Sequence, residues 1–200
     1  KAHADKGDFS STTALRILAG TNAHLAAMTG AQTDRMTRDD GWRLLSIGRH
    51  IERLSFLASA MRMGLQAGSL RTEGGFEAMI ALFDSTITFH ALFQQSHDLV
   101  ALLDLLVMDR DNPRSLAWVA HTLRGRLAKL SGAAPTEIGG LAPEVPDSSL
   151  WNLSSLCTEA SEPTAMLDAL LQTCVNASYK VSDDISMIYF THASPSVQTS

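Results

Sequence analysis

Leu116, Val119, Leu123, Leu127 and Leu130 recur at steps of three and four residues. That spacing lines one face of an α-helix and cannot serve a strand, whose buried positions alternate by two. The helix opens strongly: in DNPRS at 111–115, Asn112 can cap and Pro113 suits the first helical position, where its missing N–H costs nothing. A seam of this kind buries itself only against other helices, so it predicts a bundle.

The rest of the chain repeats the same period. Residues 12–28 carry Leu15, Leu18, Leu25 and Met28 at helical spacing and predict a first helix. Thr37 is a reasonable N-cap for a second, running from about Asp39 to Gln66 and ending near Gly68. GG at 74–75 precedes a third, reaching about Gln95 despite the β-branched Thr86, Ile87 and Thr88. DLVALLDLLVMD at 98–109 is apolar nearly all round, which marks a central helix. Residues 131–149, with Gly132, Pro135, Gly139, Gly140, Pro143 and Pro146, read as an internal crossover loop. A short helix over about Leu150–Ala160, a long one over Pro163–Tyr189 and a frayed tail HASPSVQTS complete the chain. Nothing alternates long enough for a sheet. The expectation is one all-α domain over residues 1–200, a bundle of six or seven mostly antiparallel helices.

Two hundred residues can bury about 70% of the surface their unfolded chain exposes, so no metal or disulfide staple is needed. Charged residues make up 18% of the chain against about 25% in ordinary domains, with apolar content at 45%. That deficit suggests surface covered by another domain, a second copy or a partner. The net charge of -5 and the absence of Lys/Arg runs argue against nucleic acid. The longest apolar run, LVALLDLLVM at 99–108, is too short to span a bilayer and contains Asp104, so no membrane is expected. Cys157 and Cys174 stand alone, without CxxC, and read as reduced, buried thiols of a cytoplasmic protein. The opening KAHADKGDFS has neither Met nor the pattern of a signal peptide and looks cut from a longer polypeptide.

The sharpest functional clue is LLSIGRHIERLSFL at 44–57, a helix with Arg49, Glu52 and Arg53 set in its middle. At ~100° per residue, Leu44, Ile47, Gly48, Ile51, Leu54, Ala58, Met61 and Leu65 form one wide stripe. Trp42, Leu45, Phe56 and Met63 form a second, with Glu52 between the two and Arg49 inside the second. A carboxylate flanked by apolar surface on both sides is expected to be buried and paired, Arg49 being its i−3 neighbour.

These residues also carry a resemblance. GWRLLSIGRHIERL, then LLDLLVMDRDNPRSLAW, then a closing helix ending in YF, resemble the bacterial alpha-E domain family, a helical domain named for its Glu-Arg motif. The likeness runs from about residue 37 to 192, on Arg49, Glu52 and Arg53 and on Asp109, Asn112, Pro113, Arg114 and Ser115. The family's comparable W-LGR-ER helix earlier in the chain is missing here, so the resemblance implies a C-terminal portion of such a domain. It further implies an accessory role beside circularly permuted ATP-grasp ligases and transglutaminase-like proteins, with no established activity.

Two functional readings follow. In the first, the chain is a non-catalytic accessory module for an ATP-grasp-type ligase or for its own N-terminal region, with a homo-oligomer as a further arrangement; it predicts a broad apolar face. In the second, it is a ligand-binding or catalytic domain for amide or peptide-bond formation. Arg49 and Glu52, with Arg110 or Arg114, would then hold a carboxylate or phosphate in a polar cleft. The competing explanation of those charges is a buried network that locks helix register. For the turn, capping accounts for Asn112, Ser115 could accept into the first helical turn, and Arg114 is placed to stack on Trp118. No cofactor and no metal are expected: Glu52, Glu73 and Glu77 are followed at the di-iron spacing by Ser55, Phe76 and Ile80, and no HExxH occurs.

Overall fold

Caps set where the helices begin. In the computed structural model, which describes residues 10–94, 96–131, 140–158 and 160–190, Ser10 accepts a hydrogen bond from the Thr13 amide and opens α1, Ser11–Arg35. Asp39 rather than Thr37 caps α2, Asp40–Gln66, its carboxylate accepting from the Trp42 amide at 3.0 Å. Thr72 caps α3, Glu73–Leu82, and Asp98 caps α5, Leu99–Leu103, which winds on as a wider π-type turn through Asp104–Met108. Each cap satisfies an amide that the first turn leaves without a partner.

The chain divides into two units, Lys1–Trp42 and Arg43–Ser200. The first consists of α1 and the start of α2; Leu15, Leu18, Leu25 and Met28 of α1 are exposed, and the Arg38 guanidinium lies 4.2 Å over the Trp42 ring. The second holds the hydrophobic core. Its centre is the 99–108 segment, where Leu102, Leu103, Leu105, Leu106 and Val107 are all but fully buried and only Asp104 is exposed, as all-round apolarity predicts. Leu116, Val119, Leu123 and Leu127 present the expected seam of α6, Leu116–Ser131, to it. From α2 come Ile47, Leu54, Ala58 and Met61, and from α8, Ala165–Ile185, come Leu167, Leu171, Cys174 and Val181. Each fully buried Leu contributes about 1.5–3 kcal/mol relative to leaving it in water. Among the described residues there is no strand, only an isolated bridge between Cys157 and Pro163. None of their helices is by itself long and apolar enough to cross a membrane.

Several boundaries differ from the sequence reading, α1 for one running on past Met28 to Arg35. The single helix expected to reach Gln95 is two: α3 and α4, Thr86–Phe93, meet at a 120° bend where Asp84 takes a left-handed φ of 48°. Bending lets Phe76, Phe83 and Phe89 all reach the core, which a straight rod carrying all three could not. The helix expected over Leu150–Ala160 shrinks to α7, Leu153–Leu156, after a 3-10 turn at Ser148–Leu150. The last helix starts at Ala165 rather than Pro163, because Pro163 is extended in its bridge with Cys157. Gln95, Gly132, Pro135, Gly139 and the tail HASPSVQTS lie outside the described residues.

Candidate functional site

The charged insert of α2 does not go where its apolar flanks suggest. Glu52 is exposed, not buried, and so is Arg53; Arg49 is half-buried. The core covers only the arc of α2 centred on Leu54 and Met61. On the opposite arc Phe56 is 54% exposed and Met63 69%, while Trp42 and Leu45 of the second patch are half-buried, and the carboxylate of Glu52 stays wet. Leu45, Gly48, Arg49 and Glu52 line an open depression of about 460 Å³ on this outer face. Such a shallow, open surface suits contact better than chemistry that must exclude water.

The second motif is a structural knot. The Asp109 carboxylate accepts from the amides of Asp111, at 2.8 Å, and Asn112, at 3.2 Å, while its carbonyl accepts from the Ser115 hydroxyl. The Ser115 oxygen in turn accepts from the Trp118 amide at 3.1 Å and caps α6. Asn112 therefore does not cap the helix directly. Its carbonyl oxygen accepts from the Arg114 amide and its buried amide donates to the Leu105 carbonyl at 3.1 Å, so one side chain ties the turn to the central segment. Arg114 does not stack on Trp118: its Nε donates to Asp84 at 2.8 Å and clamps the α3–α4 elbow. Arg110 is exposed and its charge helps to hold the Asp147 carboxyl low, after hydrogen bonds from Ser149 and the charge of Arg124. Arg53 joins the two motifs, donating to the Pro113 carbonyl at 3.4 Å.

Sequence reasoning missed the residues that matter most beside them. His50, between the motif arginines, is half-buried; its Nδ1 lies 2.7 Å from the Ser46 carbonyl and its ring 5.8 Å from that of Trp118. Burial, and secondarily the charges of Arg126, Arg53 and Arg49, holds its pKa below the usual value despite the Ser46 bond. Arg124, buried beneath the 142–147 segment, donates to the carbonyls of Ala142 and Val145 and pairs with Asp147 at 3.4 Å. A lone Arg one step off a leucine seam was its only signal. A recess of about 280 Å³ near Leu65, Arg71, His97, Asp98 and Ser161 holds charges that are already paired, Arg71 with Glu162 at 2.6 Å. The Ser161 hydroxyl there donates to Asp98 at 2.7 Å, spending its proton on a carboxylate rather than on an imidazole base. Among the described residues no group of three His, Cys, Asp or Glu side chains is placed to hold a metal ion. Cys157 and Cys174 are both buried and unbridged, and burial pushes the Cys174 thiol up to about 12.

Against known proteins, residues 2–190 match a family model, Alpha-E, described as a predicted alpha-helical domain with a conserved ER motif. Glu52–Arg53 is an ER pair in this chain. Uncharacterized proteins of Mycobacterium bovis and of two Mycobacterium tuberculosis strains are similar to it, 26% identical over 118 residues, which is 58% of this chain and 13% of each relative. The chain thus matches only a small part of these much longer relatives. No solved structure matches.

Proposed function

The chain belongs to the Alpha-E family, and on that basis we propose that it is a non-catalytic helical interaction domain, acting in the cytoplasm as an accessory to a circularly permuted ATP-grasp-type peptide ligase. The observation that carries this reading is where the protein spends its polar and apolar groups. Asp109, Asn112, Arg114 and Ser115 are consumed in capping and in tying helices together. Meanwhile Phe56, Met63, Ile87, Leu92, Met166 and Tyr179 stand at more than half their full exposure, an arrangement that favours contact with another protein. The family resemblance supplies the class of partner, either a separate ligase or a ligase region of a longer polypeptide.

The test is to mix the purified chain with a circularly permuted ATP-grasp ligase encoded beside such a domain. Sedimentation then reads complex formation, and ADP release reads ligase turnover. A defined complex with altered turnover is the expected result. Ligase that sediments and turns over as it does alone would sink the reading.

A further inference from the structure

We propose that the outer face of α2 is a two-fold interface on which a second copy of this chain docks antiparallel. The argument begins with spacing. Leu45, Arg49, Glu52, Phe56, Ser59 and Met63 alternate in steps of four and three along α2, the repeat by which one helix presents a seam to another. At ~100° per residue they fall within one narrow stripe, diametrically opposite Leu54 and Met61, which face the core. Phe56 and Met63 in this stripe are exposed, and Gly48 beside it would meet nothing within 4 Å if given a Cβ, so a second backbone can approach there.

Charge selects the occupant and the register. A two-fold axis requires that if residue i touches j, then j touches i. Arg49 and Glu52 lie one turn apart with opposite charge, and Leu45 and Phe56 flank them at equal distances along the chain. An axis crossing the stripe at the level between His50 and Ile51 therefore sets Arg49 against Glu52 of the second copy and, by symmetry, Glu52 against its Arg49. The same axis sets Leu45 against Phe56 twice. Two ion pairs are thereby bracketed by two apolar contacts, while Met63 lies past the overlap. Sliding one heptad step, to an axis centred on Leu54, would set Glu52 against Phe56 and Arg49 against Ser59, losing both pairs. In the favoured register neither Arg49 nor Glu52 is set opposite a like charge, and each has an opposite charge facing it. About three turns of helix from each copy meet, a small interface, so the association is concentration-dependent.

Sedimentation of the full chain over a wide concentration range tests this, with circular dichroism confirming unchanged helicity in each variant. The wild type is expected to pass from monomer to dimer. Arg49→Glu and Glu52→Arg should each raise the dissociation constant roughly tenfold or more, because each opposes like charges twice. The double variant R49E/E52R should return it to within about threefold of wild type. A second route is Leu45→Cys with Phe56→Cys, which should give covalent dimers on mild oxidation. A chain that stays monomeric throughout, or single reversals that the double variant fails to rescue, overturns the proposal. Ligase binding is read separately: if the chain captures the ligase while remaining monomeric, the dimer fails and the accessory reading stands. Charge-dependent dimers that bind no ligase uphold the interface and sink the accessory reading.

Discussion

Arg124 shows how one side chain can hold a segment that has almost no regular structure. It is 8% exposed, and its guanidinium ties down the carbonyls of Ala142 and Val145 and the Asp147 carboxylate. Truncation to Ala should strip the Arg124 bonds from the buried Ala142 and Val145 carbonyls and lower stability by about 1–3 kcal/mol, read as a reduced urea midpoint. Arg124→Lys should recover only part, since an ammonium cannot span the same fork. His50 makes a second prediction at this scale. Burial depresses its pKa below 6.5, so the folded state prefers the neutral ring. The contribution is present above 6.5 and is lost as pH falls through that value toward the lower folded one. His90 works the other way: bonds to the Gln94 carbonyl and Glu77 raise its pKa, so its contribution is present below 6.5 and fades as pH rises through the folded value. Replacing His50 with Gln should thus remove the stability lost between neutral and mildly acidic pH, and urea midpoints at the two ends check it. Sequence alone misjudged Glu52 for a related reason. A helix projection shows which residues share an arc, but which arc the neighbours cover depends on packing. The same projection placed Leu116 through Leu127 correctly, because an arc made only of leucine and valine has one low-energy destination.

At the level of elements, two glycines on helices make opposite predictions. Gly75 lies in the first turn of α3, where a Cβ would come within 2.1 Å of the Ser69 carbonyl oxygen. Backbone cannot yield there cheaply, so Gly75→Ala should destabilise by about 1–3 kcal/mol and loosen the junction between the 69–71 turn and α3. Gly125 sits inside α6, where an added methyl would meet nothing within 4 Å, and Gly125→Ala should stabilise by about 0.5–1 kcal/mol through helix propensity alone. Thermal melts of the two variants, run side by side, should shift in opposite directions. In the sequence the GG at 74–75 only marks where a third helix begins; the fold shows that its second glycine is a close approach. The α3–α4 elbow was hidden in the same way. Its apolar period continues through residues 83–85, and the break rests on one left-handed Asp84 held by an arginine thirty positions away.

Across the whole molecule, helical class and the central place of the 99–108 segment were legible, because both follow from where apolar side chains recur. What could not be read is which distant polar groups meet. Arg62 of α2 binds Asp168 of α8 at 2.7 Å, joined by Gln66 at 3.3 Å, although more than a hundred residues separate them. This tie and the Arg124–Asp147 contact bear on acid stability. The Asp168 carboxyl is held below 3.8 mainly by its hydrogen bond from Arg62, and the Asp147 carboxyl mainly by hydrogen bonds from Ser149. For an acid with a lowered folded value, the unfolded chain binds the proton more readily, so stability is present above about 3.8 and is lost as pH falls through the folded value. Asp168→Asn removes one such group and all of its pH dependence. The variant should be less stable than wild type at neutral pH, and the two stability curves should converge once acid has protonated Asp168 in both states. Urea midpoints followed from neutrality down to strong acid would show it. Curves that run parallel throughout would mean that the α2–α8 ion pair contributes nothing to the acid limit of the fold.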